Sequence, residues 1–131
     1  MSEAIIDIRD LITSYGNRRI LDGINLTVYH GETLTILGRS GCGKSTLLRH
    51  IIGLSKPTSG HIFVKGHDIT LLNEDELLPI LRKAGMLFQG AALFNSMSVG
   101  DNVALPLREH TELEESTIRI MTRMKLDQVG L

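Results

Sequence analysis

Alternating apolar and polar residues predict β-strands in several short stretches of the chain. The clearest is Ile24–Tyr29, which alternates strictly and ends at the turn pair His30-Gly31, as a half-buried strand does. Other short runs are apolar, β-prone and bounded by glycine or polar residues. The remaining predicted strands are Ile5–Ile12, Leu34–Leu37, His61–Lys65 and Met86–Phe88.

Apolar residues at helical spacing predict a first helix over Ser45–Leu54, directly after a glycine-rich stretch. Its apolar side is formed by Leu47, Leu48, Ile51 and Ile52.

Three later helices are predicted from their first residues. A Ser, Thr or Asn followed three residues later by an acidic residue is typical of a capped helix start. The first of these helices is expected over Glu74–Lys83. Pro106 should stop or kink the second, and Gly130 should end the third. The capping pairs are Asn73 with Glu76, Ser98 with Asp101, and Thr111 with Glu114.

Composition narrows the class of protein. The chain has 131 residues, 42% of them apolar, which suits one ordinary globular domain. The net charge of −1 gives no sign of a nucleic-acid partner. One cysteine excludes an internal disulfide, and the five histidines show no metal-ligand spacing, so they are expected at the surface or in packing. No apolar run approaches the ~18 residues that a membrane span requires.

The stretch Gly38–Thr46 carries the strongest chemical signal. It fits the phosphate-binding pattern G-x-x-x-x-G-K-[ST] and stands between the predicted strand Leu34–Leu37 and the first predicted helix. In this order a glycine loop aims backbone N–H groups and a helix N-terminus at a phosphate. The sequence therefore predicts binding of a nucleoside triphosphate.

Each residue of the loop has an expected role. The three glycines, Gly38, Gly41 and Gly43, let the backbone curl around the β-phosphate. Lys44 bridges β- and γ-oxygens, and the Ser45 hydroxyl is the expected Mg²⁺ ligand. Thr46 touches the phosphates only peripherally.

The variable loop positions, Arg39, Ser40 and Cys42, complete the set of candidate nucleotide-binding residues. Arg39 also fits a solvated loop residue. Cys42 lies near a lysine and a helix N-terminus, which favours a reactive thiolate that a bound nucleotide would protect. An inert small residue is the alternative at that position.

The linear order of motifs resembles the first half of an ATP-binding-cassette (ABC) ATPase. The matching features are Tyr15, Ile20–Leu26, Gly31-Glu32, the phosphate loop, Pro57–Gly60 and Met86–Gln89. Two stretches resemble more narrowly the ATPase subunits of Mla/Mce-type transporters, which move phospholipids or related lipids across the Gram-negative envelope. These stretches are Met86–Phe94 and Asp101–Thr111.

The resemblance implies an α/β P-loop NTPase fold with an antiparallel β edge at its N-terminal side and the start of a helical subdomain. Residues 1–89 would form the nucleotide-binding core, and 90–131 the Q-loop and the helical part. Tyr15 would stack on adenine, although a core-facing tyrosine is the alternative. Gln89 would reach Mg²⁺ and the attacking water; without the family it is only a polar loop residue.

The resemblance also implies cofactors and partners: ATP with Mg²⁺, a second ATPase subunit, and a transmembrane permease subunit docked on residues 90–107. Packing inside the helical subdomain is the alternative explanation for the apolar residues of that segment. Such a protein would be cytoplasmic and peripheral on the inner face of the cytoplasmic membrane.

Three family motifs do not occur in the chain: an apolar strand ending in Asp-Glu, a Leu-Ser-Gly-Gly signature and a switch histidine. We expect an N-terminal part of a longer ATPase that grips ATP without hydrolysing it. A non-catalytic nucleotide-binding module and a different P-loop NTPase are the alternatives. A GTPase is disfavoured because the Asn-Lys-x-Asp guanine motif is absent.

Overall fold

The computed structural model describes residues 3–131, which form four strands and four helices. The strands are β1 (Ala4–Tyr15), β2 (Arg18–Tyr29), β3 (Ser59–Val64) and β4 (His67–Asp68). The helices are α1 (Lys44–Ile51), α2 (Glu74–Leu81), α3 (Val99–His110) and α4 (Glu115–Asp127).

The strands form one antiparallel sheet in the order β2-β1-β3-β4. Strands β1 and β2 are longer than their apolar cores predict, because the two pair along almost their whole length up to Tyr15↔Arg18. A two-residue turn joins them, and its first residue, Gly16, has the positive φ of 57° that a type II′ hairpin requires. The predicted strands at 5–12, 24–29 and 61–65 are confirmed.

The hydrophobic core lies between the sheet and the helices α1 and α2. Ile8, Leu11 and Ile62 are fully buried. Ile8 pairs with Ile62 across β1 and β3, and a register shift in β1 between Ile8 and Leu11 lets Leu11 join the same cluster, although strict alternation would place it on the other face. A Cβ at Gly53, directly after α1, would lie 2.7 Å from the Leu77 side chain, so α1 and α2 meet closely there. The complete buried cluster is Ile8, Leu11, Leu21, Leu47, Ile62, Ile69 and Leu77.

The predicted strands Leu34–Leu37 and Met86–Phe88 are wrong for this structure. Neither segment pairs with another strand within residues 3–131. Leu37 is 87% exposed and Leu87 is 86% exposed, while Ile36 packs against the core. An apolar run becomes a strand only when a neighbour satisfies its N–H and C=O groups, and the described chain supplies none beside these two.

Two of the three predicted capping pairs are confirmed. Asn73 accepts a hydrogen bond from Glu76 N–H while the Glu76 carboxylate accepts one from Asn73 N–H, which is the predicted capping box. Ser98 caps α3 in the expected way. Thr111 does not cap α4; its hydroxyl donates to the Leu107 carbonyl at the end of α3, so the predicted third capping pair is wrong.

The two helix-ending residues behave differently. Pro106 does not stop α3, which continues to His110. Gly130 does end α4: it has φ +78°, its N–H donates to Asp127, and Leu131 N–H donates to the Leu126 carbonyl. These two bonds form a Schellman motif. The first helix is also shorter than predicted, and Leu48 lies on its exposed side.

The chain divides into two compact units, Met1–Met86 and Leu87–Leu131. The second unit contains α3 and α4, which are tied together by Arg108: its guanidinium contacts Asp101 at 3.1 Å and Glu115 at 2.6 Å. No described helix has the length and apolar character that crossing a bilayer would demand.

Candidate functional site

The glycine loop runs directly into the N-terminus of α1. Gly43 is the N-cap of the helix and has φ +104°, a conformation that side chains rarely adopt. No side chain among the described residues caps this end, and the first turn contains no acidic residue. The first N–H groups of α1 are therefore available, together with the positive end of the helix dipole, for an anion.

Close contacts leave little room for a side chain at two glycines of the loop, Gly38 and Gly43. A Cβ at Gly38 would lie 2.5 Å from Cys42 Sγ, so the two ends of the loop touch there. A Cβ at Gly43 would lie 3.0 Å from the Leu21 side chain and 3.2 Å from the Ile20 carbonyl oxygen. The loop is thus wrapped on itself and seated on the beginning of β2.

Lys44 closes the loop through its side chain. The ammonium donates to the carbonyl oxygens of Gly38 at 2.6 Å and Arg39 at 2.8 Å, and lies 3.7 Å from Cys42 Sγ. An ammonium held on the same concave backbone as free N–H groups concentrates positive charge where phosphate oxygens would bind. The structure therefore brings together the lysine, the glycines and the helix N-terminus, as the sequence pattern predicts.

The other candidates of the loop differ in exposure. Arg39, Ser40, Cys42 and Ser45 are exposed, whereas Thr46 is half-buried. An exposed hydroxyl at Ser45 in the first turn of α1 can act as a metal ligand. The described residues contain no cluster of three or more His, Cys, Asp or Glu side chains suited to a metal.

Tyr15 lies at the tip of the β1–β2 hairpin and is 58% exposed, so the core-facing alternative is wrong. Thr58 holds the end of β1 next to Tyr15 in place. Ser14 N–H donates to the Thr58 hydroxyl at 3.0 Å, and Thr58 N–H donates to the Ile12 carbonyl oxygen. Leu21, which supports Gly43, pairs across the hairpin with Thr13, two residues before Tyr15. Two strand residues span about 6.6 Å, which brings the tyrosine to the same end of the sheet as the loop.

Gln89 is exposed in the second unit and precedes an irregular loop. In that loop Ala91 and Ala92 have positive φ values of 61° and 52°, which L-residues adopt only at a cost. Beyond it, Asn102 holds the segment before α3: its side-chain oxygen accepts from Phe94 N–H at 2.8 Å, and its amide donates to Phe94 and Ser98 carbonyls.

The start of α3 also carries a charged network. The Ser98 hydroxyl donates to Asp101 at 2.6 Å, and this bond, with the Arg108 guanidinium, lowers the pKa of Asp101 below its ordinary value. Arg108 likewise lowers the pKa of Glu115. These carboxylates are therefore ionised at neutral pH and structural in role.

One buried pair between α1 and β1 was not predicted from the sequence. His50 is fully buried at the end of α1, and its Nε2 lies 2.7 Å from Thr13 Oγ1 on β1. The signal was present, because His50 stands three residues after Leu47 on the buried side of the helix. The spacing alone could not name its partner, 37 residues away.

A glycine loop closed by its lysine at a free helix N-terminus defines a P-loop nucleotide-binding domain. Comparison with known proteins makes this assignment narrower: a model of the ABC transporter family matches residues 21–130. The chain belongs to the ABC transporter family, as the motif order indicates.

Individual relatives agree with this assignment. The intermembrane phospholipid transport system ATP-binding protein MlaF of Haemophilus influenzae is 45% identical over 131 residues, all of this chain and 50% of the relative. The probable ribonucleotide transport ATP-binding protein Mkl of Mycobacterium bovis is 45% identical over 126 residues, which are 96% of this chain and 35% of that protein. The chain thus spans half or less of the length of these curated relatives.

Solved structures show the same fold. The dimeric bacterial ABC transporter cassette MJ0796 superposes with a TM-score of 0.88 at 32% identity, over 96% of this chain and 57% of the cassette. CbiO1 from Clostridium perfringens, part of the cbiONQ transporter complex, has a TM-score of 0.81 at 30% identity, over 98% of this chain and 51% of that protein. The predicted fold class is confirmed: the chain corresponds to part of an ABC ATPase domain.

Proposed function

We propose that this chain is the nucleotide-binding part of an ABC transporter ATPase and binds Mg²⁺-ATP at the loop 38–46. The observation that carries the proposal is the Lys44 ammonium held over the loop beside the uncapped N-terminus of α1. Lys44 and the loop N–H groups bind the β- and γ-phosphates, and Ser45 binds Mg²⁺. Tyr15 stacks on the base with little selectivity among bases.

The test is calorimetric titration of the 131-residue chain with Mg²⁺-ATP. Lys44→Ala removes a charge-assisted phosphate contact of about 1.5–3 kcal/mol and should weaken binding about 10- to 150-fold. Arg49→Ala is the matched control, because it removes one positive charge from the exposed side of the same helix. Equal ATP affinity in wild type and Lys44→Ala would contradict the proposal.

Gln89 takes the role of the family's Q-loop glutamine in this proposal, a ligand of Mg²⁺ and of the attacking water. Its exposure at the beginning of an irregular loop supports that role. ATP hydrolysis is proposed for the whole ATPase, in which a second ATPase subunit completes the site. The alternative, a non-catalytic nucleotide-binding module, requires that the whole protein bind ATP without turnover; steady-state phosphate release separates the two.

Residues 90–107 are proposed to dock a transmembrane permease subunit, which would place the protein in the cytoplasm on the inner face of the membrane. Leu93 and Phe94 are 65% and 57% exposed on a loop that Asn102 holds in place, so they are not packed inside the second unit. Met97 and Leu105, the other apolar residues of the segment, are half-buried. A fixed loop with exposed apolar side chains suits a protein interface.

Charge substitution tests the docking surface in the complete protein. Phe94→Glu should reduce co-purification of the permease at least about tenfold, because it places a charge in an apolar contact. Glu109→Gln, on the exposed side of α3, is the control. ATP affinity should stay unchanged in both variants; loss of ATP binding together with docking would point to misfolding and contradict the surface assignment.

The transported substrate is proposed to be a phospholipid or related lipid. Support comes from the 45% identity with MlaF along the whole chain, including the stretches 86–94 and 101–111. Mkl is equally identical over slightly less of the chain, so identity alone does not choose between the two substrate classes. A chimera with these 131 residues in place of the corresponding half of MlaF should retain phospholipid transport, and failure of a stably folded chimera would contradict the lipid assignment.

A further inference from the structure

The bond between Thr13 and His50 joins the strand that ends in Tyr15 to the helix that begins at the phosphate loop. Both side chains are buried, Thr13 to 3% and His50 to 1% exposure, and Thr13 Oγ1 lies 2.7 Å from His50 Nε2. The other ring nitrogen, Nδ1, lies 2.7 Å from the Ser55 carbonyl oxygen. Every polar atom of the imidazole therefore has a partner.

The two partners determine how the ring is used. A carbonyl oxygen only accepts hydrogen bonds, so Nδ1 carries the proton and donates to Ser55. In the neutral ring, Nε2 is then an acceptor, and the Thr13 hydroxyl donates to it. In this tautomer the bond runs from strand to helix, and an apolar side chain of the same shape at position 13 would leave Nε2 unpaired.

Helix α1 thus contacts the hairpin at both of its ends. At its beginning, Gly43 lies against Ile20 and Leu21 of β2; near its end, His50 bonds to Thr13 of β1. Thr13 and Leu21 are paired with each other across the hairpin. The contacts therefore run from Gly43 to Leu21, from Leu21 to Thr13, and from Thr13 to His50 on the same helix as Gly43. They connect the phosphate loop to the strand leading to Tyr15 within one compact unit.

We propose that Thr13 and His50 are positioning residues that set the base-stacking hairpin relative to the phosphate loop. This inference rests on the proposed function, because it concerns how the same ATP site is assembled. The pair touches no nucleotide atom in this proposal. It acts by fixing the end of β1 that carries Tyr15 relative to the helix that begins at the loop, so that one nucleotide can contact both.

Single-bond variants separate this role from general stability. Thr13→Val removes the hydroxyl and keeps the shape, while Thr13→Ser keeps the hydroxyl. His50→Gln places an amide where Nε2 lies and preserves the link to Thr13; His50→Asn places it where Nδ1 lies and preserves only the bond to Ser55. The probes are Mg²⁺-ATP and inorganic tripolyphosphate, each titrated calorimetrically into the full 131-residue chain, with thermal unfolding measured in parallel.

We expect Thr13→Val and His50→Asn to weaken ATP binding about 2- to 10-fold, the range for one buried neutral hydrogen bond, and to leave tripolyphosphate affinity unchanged. Thr13→Ser and His50→Gln should bind ATP nearly as wild type does. In a Tyr15→Leu background, Thr13→Val should have no further effect on ATP affinity, because the pair acts through the stacked base.

Two results would overturn the inference. Equal weakening of ATP and tripolyphosphate would mean that the pair supports only the loop, and full ATP affinity in Thr13→Val and His50→Asn would mean that it supports neither. A wild-type chain that binds neither probe would instead contradict the proposed function itself. Lower melting temperatures with the expected affinity pattern would leave the positioning role standing.

Discussion

The antiparallel sheet and the segment 33–38 have similarly apolar sequences and different structures. Strand β2 includes Ile24–Tyr29 and pairs with β1, which in turn pairs with β3. Leu34–Leu37 is just as β-prone, yet it lies beside no strand among the described residues, and Leu37 is largely exposed. The difference teaches that apolar pattern predicts a tendency, and that hydrogen-bonding neighbours decide whether the tendency becomes a strand.

The first prediction compares one residue from each region. Ile62→Ala creates a cavity in the fully buried core of the sheet and should lower the free energy of unfolding by about 2–5 kcal/mol. Leu37→Ala should change it by no more than about 0.5 kcal/mol, because that side chain is already in solvent. Urea denaturation followed by circular dichroism measures both. A comparable loss in Leu37→Ala would show that the segment is packed after all.

A second prediction concerns two glycines with positive φ in and beside β3. Gly60 has φ +89°, and a Cβ there would overlap the Asp10 carbonyl of β1; Gly66 has φ +81° and open space around it. Both Gly→Ala changes carry the left-handed backbone cost, and Gly60→Ala adds the clash. It should be about 1–3 kcal/mol more destabilising than Gly66→Ala in the same denaturation assay. Equal losses would argue against the close approach of β1 and β3.

A third prediction concerns the phosphate loop that follows the segment 33–38, and tests whether bound ATP protects Cys42 from alkylation. Cys42 is exposed, with its Sγ near Gly38 and 3.7 Å from Lys44 Nζ. At nucleotide concentrations about ten times Kd, alkylation of Cys42 should slow about tenfold, since only the free protein reacts. Lys44→Ala at the same concentration should lose the protection. Unchanged alkylation of wild type under saturating Mg²⁺-ATP would mean that the thiol lies outside the nucleotide site.

The smallest expected effect comes from a carboxylate on the sheet. Burial opposes ionisation of Asp68, but hydrogen bonds from Thr70 and His61 outweigh it and hold its pKa below the ordinary value. A lowered pKa stabilises the fold above the unfolded-state value near pH 4, and this contribution disappears as pH falls through the folded-state value. The effect should stay below about 1 kcal/mol.

Asp68→Asn should therefore flatten the acid side of the stability curve below about pH 4, measured by urea denaturation between pH 2.5 and 7. Glu109→Gln serves as the comparison, since it changes one exposed carboxylate on α3. An acid limb that is identical in Asp68→Asn and wild type would show that Asp68 does not contribute.

Much of the candidate site, and several helix ends elsewhere in the fold, could be predicted from the sequence because their determinants are local. The glycine spacing and the lysine of the loop, the Asn73–Glu76 capping box and the Gly130 helix end all act within about six residues. The Thr111 cap failed for an equally local reason: two helix ends compete for one hydroxyl, and the carbonyl of Leu107 receives it. A sequence pattern for one helix start does not show which of the two helix ends the hydroxyl will bond.

The sequence by itself determined where a phosphate can bind, because glycine φ freedom, lysine charge and the start of a helix belong to consecutive residues. Only the tertiary structure decided that Leu34–Leu37 pairs with no strand within residues 3–131, that Tyr15 is exposed, and that His50 contacts Thr13. Each of these depends on whether a residue or strand distant in the sequence lies beside the segment in the folded chain. The partner determines whether the backbone groups of a strand or the nitrogens of a buried imidazole are hydrogen-bonded, and the local sequence does not encode where that partner lies.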